Sequence, residues 1–433
     1  MMTEFDSKEL KAVASAFKAM QTVARKRSLF GGVCYLEDGR VLFVCDLDYV
    51  NPHAMFHVRF ALKPSSEVSN LHERKSAYFL ISEFVNAVSR AKPSGTIAFE
   101  ILPNGGAQIL ADGTRFHLEP QGERVVRMLL GQDLSENIVI TEHRKVSDLK
   151  FLDELGVSEL ERAFEFVLPA VGPDPSTVRG RMLWEFHGHG CFRVVGTDGK
   201  RIHFADMGMC SKKMAPQDKS VVLAPYAANI MMHAFSVLTK KPQGPVPPKV
   251  RVSRGVVKYS NDLQYSCVQL ADTENRLVMY IAFPDEPWIN YNNSLNWVLY
   301  ARDHVPVRLD KKAVQKALAF FNKAARHGKK KDVIPVDFYC LQNSNRIRLL
   351  LDYNGMIAED EIETIKQNQR EFNVGMNARM TADALSLVRG NECAILFKAD
   401  EELPVNPYLI KHKDELGEYR SLISPINPDW SRC

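Results

Sequence analysis

The feature that most restricts how this chain can fold is a segment type that recurs three times, roughly 140 residues apart. The first copy reads Tyr78-Phe79-Leu80-Ile81, a helical Ser82–Ala91, a Pro-Ser-Gly turn and the alternating strand Thr96–Ile101. The second runs Val221-Val222-Leu223, helical Pro225–Leu238, a Pro/Gly-rich loop and the strand Lys249–Ser253. The third is Phe372-Asn373-Val374, helical Ala378–Val388, the turn Arg389-Gly390-Asn391 and the strand Cys393–Phe397. Helical spacing of the apolar residues in each centre, with period-two alternation on either side, gives strand, helix, turn, strand.

A second unit precedes each copy. Ser7–Arg25 predicts a helix, followed by the hairpin Gly32–Tyr35 and Arg40–Cys45 joined by Glu37-Asp38-Gly39. Ser158–Leu168 predicts a helix before strands near Arg181–Phe186 and Cys191–Val195. Asp310–His327 predicts a helix before Val333–Cys340 and Arg346–Leu351, joined by Gln342-Asn343-Ser344-Asn345. Asp-Gly and Asn-Ser tolerate the positive φ that tight hairpins need. The expected class is α+β, with helices segregated to one face of antiparallel sheets. Three domains follow, 1–143, 144–292 and 293–433, with seams at Glu142–Lys150 and Pro284–Asn296. A third of 433 residues is enough chain to bury its own core.

Composition excludes little, but what it excludes is useful. No stretch approaches the roughly 18 apolar residues of a membrane span, and Met1–Asp6 lacks the apolar run of a secretory signal. The expectation is a cytoplasmic protein without a membrane partner. None of the eight cysteines forms a Cys-x-x-Cys pair, which favours buried free thiols.

A net charge of +4 permits nucleic-acid contact without requiring it, so the distribution of charge matters more. On Ser7–Arg25, Leu10, Val13, Phe17 and Met20 form an apolar stripe, and Lys11, Lys18 and Arg25 form a basic stripe beside it. Asp310–His327 repeats the design with Val314, Leu318, Phe321 and Ala325 against Lys312, Lys316 and Lys323. Arg90 and Lys92 end one helix of the second type, Lys240 another, and Arg379 opens the third. Each such residue alone can simply solvate a surface or complement a helix C-terminus. Together, lysines without interleaved aromatics point to phosphate contact with duplex DNA and no base reading. The first helix of the middle third departs from this, with Glu159, Glu161 and Glu165 around a single Arg162.

A hydrolytic metal site is the enzyme alternative. It would use His187, His189, Cys191, Asp198 and His203. Two glycines interrupt that stretch and favour a turn, and no His-Glu-x-x-His spacing, phosphate loop or nucleophile elbow occurs. The expectation is a non-catalytic protein with no catalytic residues, no metal and no cofactor.

At this point the chain resembles the bacterial DNA polymerase III β subunit family, the sliding clamps. The resemblance rests on Thr197-Asp198-Gly199-Lys200-Arg201-Ile202, similar to the family's Thr-Asp-Gly-His-Arg-Leu, and on Phe283-Pro284-Asp285. Phe372-Asn373-Val374 and the terminal strand Tyr419–Ile426 with its Ser-Pro-Ile also match, in order, on the threefold repeat. The resemblance implies a head-to-tail homodimer closing a ring round duplex DNA. It also implies a groove for short peptides of the replicative polymerase and the clamp loader. Matching groove positions are Val178, Thr197, Gly199, Lys200, Arg201, Ile202, Pro284, Ile289, Leu422, Ser424, Pro425 and Ile426. Matching dimer-interface positions are Phe116 and Leu118, with Phe320 as partner. Lys200 in place of His, and Ser-Pro-Ile-Asn-Pro near the C-terminus, depart from the family pattern. They leave open a specialised or mobile-element clamp-fold protein that does not serve the main polymerase.

Overall fold

The computed structural model describes residues 2–24, 28–36, 38–47, 56–65, 76–92, 95–121, 138–141, 144–240, 247–259, 263–283, 285–299, 304–324, 334–340, 342–353, 356–367, 372–398 and 407–424. They divide into two compact units. Unit 1 comprises Met1–Glu161, Gly188–Gly190 and Val221–Pro287; unit 2 comprises Arg162–His187, Cys191–Ser220 and Trp288–Cys433.

Unit 1 carries helices α1 (Ser7–Ala24), α2 (Ile81–Ser89) and α4 (Pro225–Lys240), and most of the short strand β14 (Ser220–Leu223) that leads into α4. Its smaller sheet is ordered β1-β6-β7-β8, from β1 (Thr3–Asp6), β6 (Thr96–Ile101), β7 (Ala107–Ala111) and β8 (Thr114–Leu118). The larger sheet contains β2 (Phe30–Tyr35), β3 (Val41–Leu47), β4 (Phe56–Leu62), β5 (Ser76–Leu80), β9 (Ile138–Thr141), β10 (Arg144–Gly156), β15 (Lys249–Tyr259), β16 (Gln264–Asp272) and β17 (Leu277–Phe283). Its order is β5-β2-β3-β4-β17-β16-β15-β10-β9. The β4–β17 pair joins the first third of the chain to the middle third, with Phe60 opposite Leu277. The predicted apolar stripe of α1 is buried, and Phe17 meets Phe60 and Phe84 at ring-centroid distances of 5.8 Å.

Unit 2 is built the same way. Its helices are α5 (Asn292–Leu299), α6 (Lys311–Ala324) and α7 (Ala378–Ser386), and most of α3 (Val157–Val167) lies in it. One sheet includes β11 (Met182–Gly188), β12 (Cys191–Thr197), β13 (Arg201–Met207), β18 (His304–Asp310), β23 (Glu392–Lys398), β24 (Tyr408–Lys413) and β25 (Glu418–Ile423), ordered β11-β12-β13-β25-β24-β23-β18. Here β13 pairs antiparallel with β25, so the middle third continues into the last with Ile202 opposite Leu422. The second sheet is β21-β20-β19-β22, from β19 (Pro335–Cys340), β20 (Arg346–Tyr353), β21 (Met356–Glu363) and β22 (Phe372–Asn377). Val314, Leu318 and Phe321 of α6 pack into a core with Phe338, Leu349 and Leu385.

All six predicted helices form, within a few residues of their expected ends. A further helix among the described residues, α5, begins in the Asn/Pro-rich stretch expected as a seam. The Asn290 side chain accepts from the Asn292 N–H at its start, the Asx geometry that begins a helix. The α+β class is observed, with every strand pair whose register is defined running antiparallel.

Candidate nucleic-acid interface and peptide site

The proposed DNA contacts sit on helices whose exposed sides are short of carboxylates. The only acidic residue of α1 is Glu9, which is buried, and α6 has none. Lys18 on α1, and Lys312, Lys316 and Lys323 on α6, are exposed and have no ion partner among the described residues. Arg90 and Lys92 are exposed just beyond α2, and Arg379 is exposed in the first turn of α7. Lys11 is different: it is half-buried, and its ammonium donates to the Ala91 carbonyl beyond the end of α2. Lys311 does the same beyond the end of α7, reaching the Val388 carbonyl at 2.7 Å. A cation at unsatisfied terminal carbonyls completes the helix end. Lys240 is the last residue of α4, and Arg25 lies outside the described residues.

The acidic helix α3 behaves as its composition predicts. Its single cation, Arg162, turns inward and is 5% exposed. One Nη donates to the Leu387 carbonyl at 2.6 Å, Nε reaches Asp414 at 3.4 Å, and the guanidinium lies 4.7 Å from the Tyr419 ring centre. The outward charges of α3 are therefore carboxylates.

The Thr197–Ile202 motif forms the turn between β12 and β13. Thr197 Oγ1 donates to the Arg201 carbonyl at 2.7 Å and accepts from the Gly199 N–H at 3.0 Å. Asp198 accepts from the N–H groups of Lys200 and Arg201 and from Arg201 Nε. Gly199 has φ +87°, where a side chain is strained, and the Arg179 guanidinium lies over it. Ile202 and Leu422 stand side by side in register and are 9% and 7% exposed. The Ser424 N–H donates to the Lys200 carbonyl at 2.9 Å, and half-buried Val178 lies in a short helical turn with Arg179. Ile289 is 37% exposed. Pro284, Pro425 and Ile426 lie outside the described residues.

Arg201 is committed to the protein itself. Nε meets Asp198 at 3.1 Å, Nη1 meets Asp383 at 3.3 Å and Nη2 donates to the Pro169 carbonyl at 2.6 Å. Its geometry makes it the strut that ties the turn to α7.

A buried charge network beneath this motif had no counterpart in the sequence reading. Arg193 on β12 faces Asp206 on β13, and Asp206 also accepts from Arg420 Nη1 at 2.6 Å. Glu185 lies 3.7 Å from Arg193 and accepts from the Tyr291 hydroxyl. Burial opposes the charge on Asp206, but hydrogen bonds and charge from Arg193, then Arg420, outweigh it and lower its pKa. Burial similarly opposes the charge on Arg193, and Asp206 more than reverses the effect.

The residues of the hydrolase alternative are occupied otherwise. Asp198 holds the turn, His189 occupies a turn position at φ +56°, and buried His203 places Nδ1 2.9 Å from the Phe166 carbonyl. Among the described residues no three His, Cys, Asp or Glu side chains gather as a metal site. No described helix is long and apolar enough to cross a membrane. At the proposed dimer positions, Phe116 is half-buried on the outermost strand of its sheet, Leu118 is buried in its own unit, and Phe320 is 52% exposed.

These elements define a clamp-fold protein: the chain has the fold of the bacterial DNA polymerase III β subunits. It is similar to the DNA polymerase III β subunit of Thermotoga maritima at 17% identity and TM-score 0.69, covering 98% of this chain and 99% of that one. It is similar to the DNA polymerase β subunit of Streptococcus pyogenes at 12% identity and TM-score 0.68, covering 99% and 100%. The DNA polymerase sliding clamp of Bacillus subtilis aligns at 13% identity and TM-score 0.64, covering 99% of both chains. No family model matches the sequence, and no curated protein does.

Proposed function

We propose that this protein is a non-catalytic DNA sliding clamp that encircles duplex DNA without sequence preference and tethers a replicative polymerase through short peptides. The observation that carries the reading is the exposed lysines of α1 and α6 on helices without an exposed carboxylate, in a clamp fold. Point charges that meet phosphates hold a duplex without fixing register, so the protein can slide. The three domains, 1–143, 144–292 and 293–433, are the repeats, each with a pair of helices on antiparallel strands. The homodimer closes through the edge strand β8, with Phe116 meeting exposed Phe320 of a second copy, a heterologous contact that forms a ring. The peptide site is the Ile202–Leu422 pair with the Thr197–Gly199 turn, and the clamp loader uses the same surface.

The test is primer extension on a singly primed circular template with the cognate polymerase and loader. Product length should rise when the protein is present, and the protein should stay on circular DNA but run off after linearisation. Unchanged product length with retention on the circle would favour the clamp-fold interaction protein that serves another partner.

A further inference from the structure

The large sheet of unit 1 carries a small core on the face turned away from its helices. Phe60 meets Phe17 of α1 and Phe56 meets Tyr226 of α4, so alternation along β4 turns His57 and Arg59 to the opposite face. On that face Val146 of β10, Val257 of β15, Cys267 of β16 and Tyr280 and Ala282 of β17 are buried in one cluster. There too, Arg144 of β10 donates to the Asp46 carboxylate of β3. Sheet order puts β4, β17, β16 and β15 between those two strands. Five strand spacings of about 4.8 Å would hold the partners roughly 24 Å apart in a flat sheet, beyond the combined reach of the two side chains. The end of β10 therefore folds back over the far face, carrying the end of β15 with it.

The bend is built into the backbone. Two residues of β10, Asp148 and Leu149, stand against Gly255 alone, and Asp148 has φ +56°. A Cβ on Gly255 would meet the Ser147 carbonyl oxygen at 2.7 Å and Leu149 Cδ2 at 2.9 Å, so only glycine admits the bulge.

The fastening is titratable. Buried His57 has Asp46 Oδ1 3.2 Å from Nδ1, Arg59 Nε donating to Nε2 at 2.9 Å, and the Tyr280 ring centre 6.2 Å away. Arg144 shares the Asp46 carboxylate, so a proton on the ring would set a third cation beside one carboxylate. Burial foremost holds His57 at about 4, against the bond from Asp46 and with the charges of Arg59 and Arg144. We infer that Arg144–Ser147 and Val256–Tyr259 form a strap across the seam between the first and middle thirds, fastened by Arg144 on the Asp46–His57 pair and released by acid. It gives that seam a second tie beside the β4–β17 ladder.

Hydrogen–deuterium exchange of the full chain at pH 7.5 and 5.0 in low urea, corrected for intrinsic rates, tests the inference. Strap amides should exchange faster than those of Leu277–Ile281 and with little dependence on urea, because local opening exposes little surface. As the strap lifts, His57 returns from about 4 to its ordinary value, so the opening equilibrium should rise about thirtyfold between the two pH values. Arg144→Gln should speed strap exchange at pH 7.5 by at least about tenfold, the size of one charge-assisted hydrogen bond. His57→Gln should abolish the pH response of the strap. Strap amides that exchange only together with the ladder, at the same urea dependence, would overturn the inference, as would a pH response that survives His57→Gln. Should Arg144→Gln fail to fold, the wild-type and His57→Gln measurements decide.

Discussion

Arg193 and Asp206 stand directly opposite each other on β12 and β13, both buried, with Nε 2.5 Å from Oδ1. Asp206 is also the acceptor for Arg420, so one carboxylate balances two guanidinium groups that have little access to water. Replacing it with Ala leaves both without that partner, and breaking a buried ion pair typically costs about 3–5 kcal/mol. Urea unfolding of Asp206→Ala should show a loss of that size. Arg193→Met with Asp206→Leu should lose less than the two single changes combined, because the pair is removed together. Additive losses would mean the two residues act independently.

His57 gives a pH dependence. Its Nδ1 lies 3.2 Å from Asp46 Oδ1, and Arg59 Nε donates to its Nε2 at 2.9 Å. The ring must therefore be neutral, protonated on Nδ1. Burial lowers its pKa to about 4, and the charges of Arg59 and Arg144 add to that against Asp46. Burial also lowers His203 to about 4. The unfolded chain protonates these rings near 6.5, so between 6.5 and 4 the unfolded state binds more protons. Stability is then complete above about 6.5 and falls as pH drops toward 4. Each ring should cost about 2 kcal/mol between pH 7.5 and 5. Denaturant melts at those two pH values should show it, and His57→Gln should flatten the decline for unit 1.

The periodic parts of this fold were legible and the non-local parts were not. Leu10, Val13, Phe17 and Met20 mark one face of α1 by spacing alone, and all are buried. The β4–β17 and β13–β25 pairs, which join the thirds, leave no mark in local periodicity. Helical spacing placed Lys11 and Lys18 on one stripe, yet only the packing of α1 against α2 turns Lys11 to the Ala91 carbonyl. Arg193 and Asp206 look like solvent-facing positions of alternating strands. Both strands are largely buried on both faces, so a charge within them must be paired, and that burial is visible only in the folded sheet. Arg179 belongs to no motif; only the fold brings it over Gly199.

The proposed peptide site should be breakable without unfolding the sheet. Ile202 and Leu422 each keep a little exposure at the β13–β25 ladder, beside Ser424. On the proposed reading, a carboxylate there would face the apolar anchors of a bound peptide and raise the cost of desolvation at binding. Ile202→Asp and Leu422→Asp should each weaken capture of a short polymerase-derived peptide with apolar anchors by at least about 2 kcal/mol, the level of a binding hot spot. Solution mass should not change, because the proposed dimer contact uses Phe116 and Phe320. Peptide binding at wild-type strength would move the site elsewhere.

The lysine arrangement predicts a salt signature. If Lys18, Lys312, Lys316 and Lys323 each meet a phosphate, every one removed should reduce the slope of log K against log salt by about 0.9. The fourfold Ala variant should therefore lose between three and four units of slope, by this order-of-magnitude count, and weaken binding equally on unrelated sequences. Lys11 is the internal control. Its ammonium holds the Ala91 carbonyl, so Lys11→Ala should lower the melting temperature and leave the slope nearly intact. Titrating DNA duplexes at several salt concentrations measures both quantities on the same preparations. A fourfold variant with the wild-type slope would take α1 and α6 out of the DNA path, whatever the ring does.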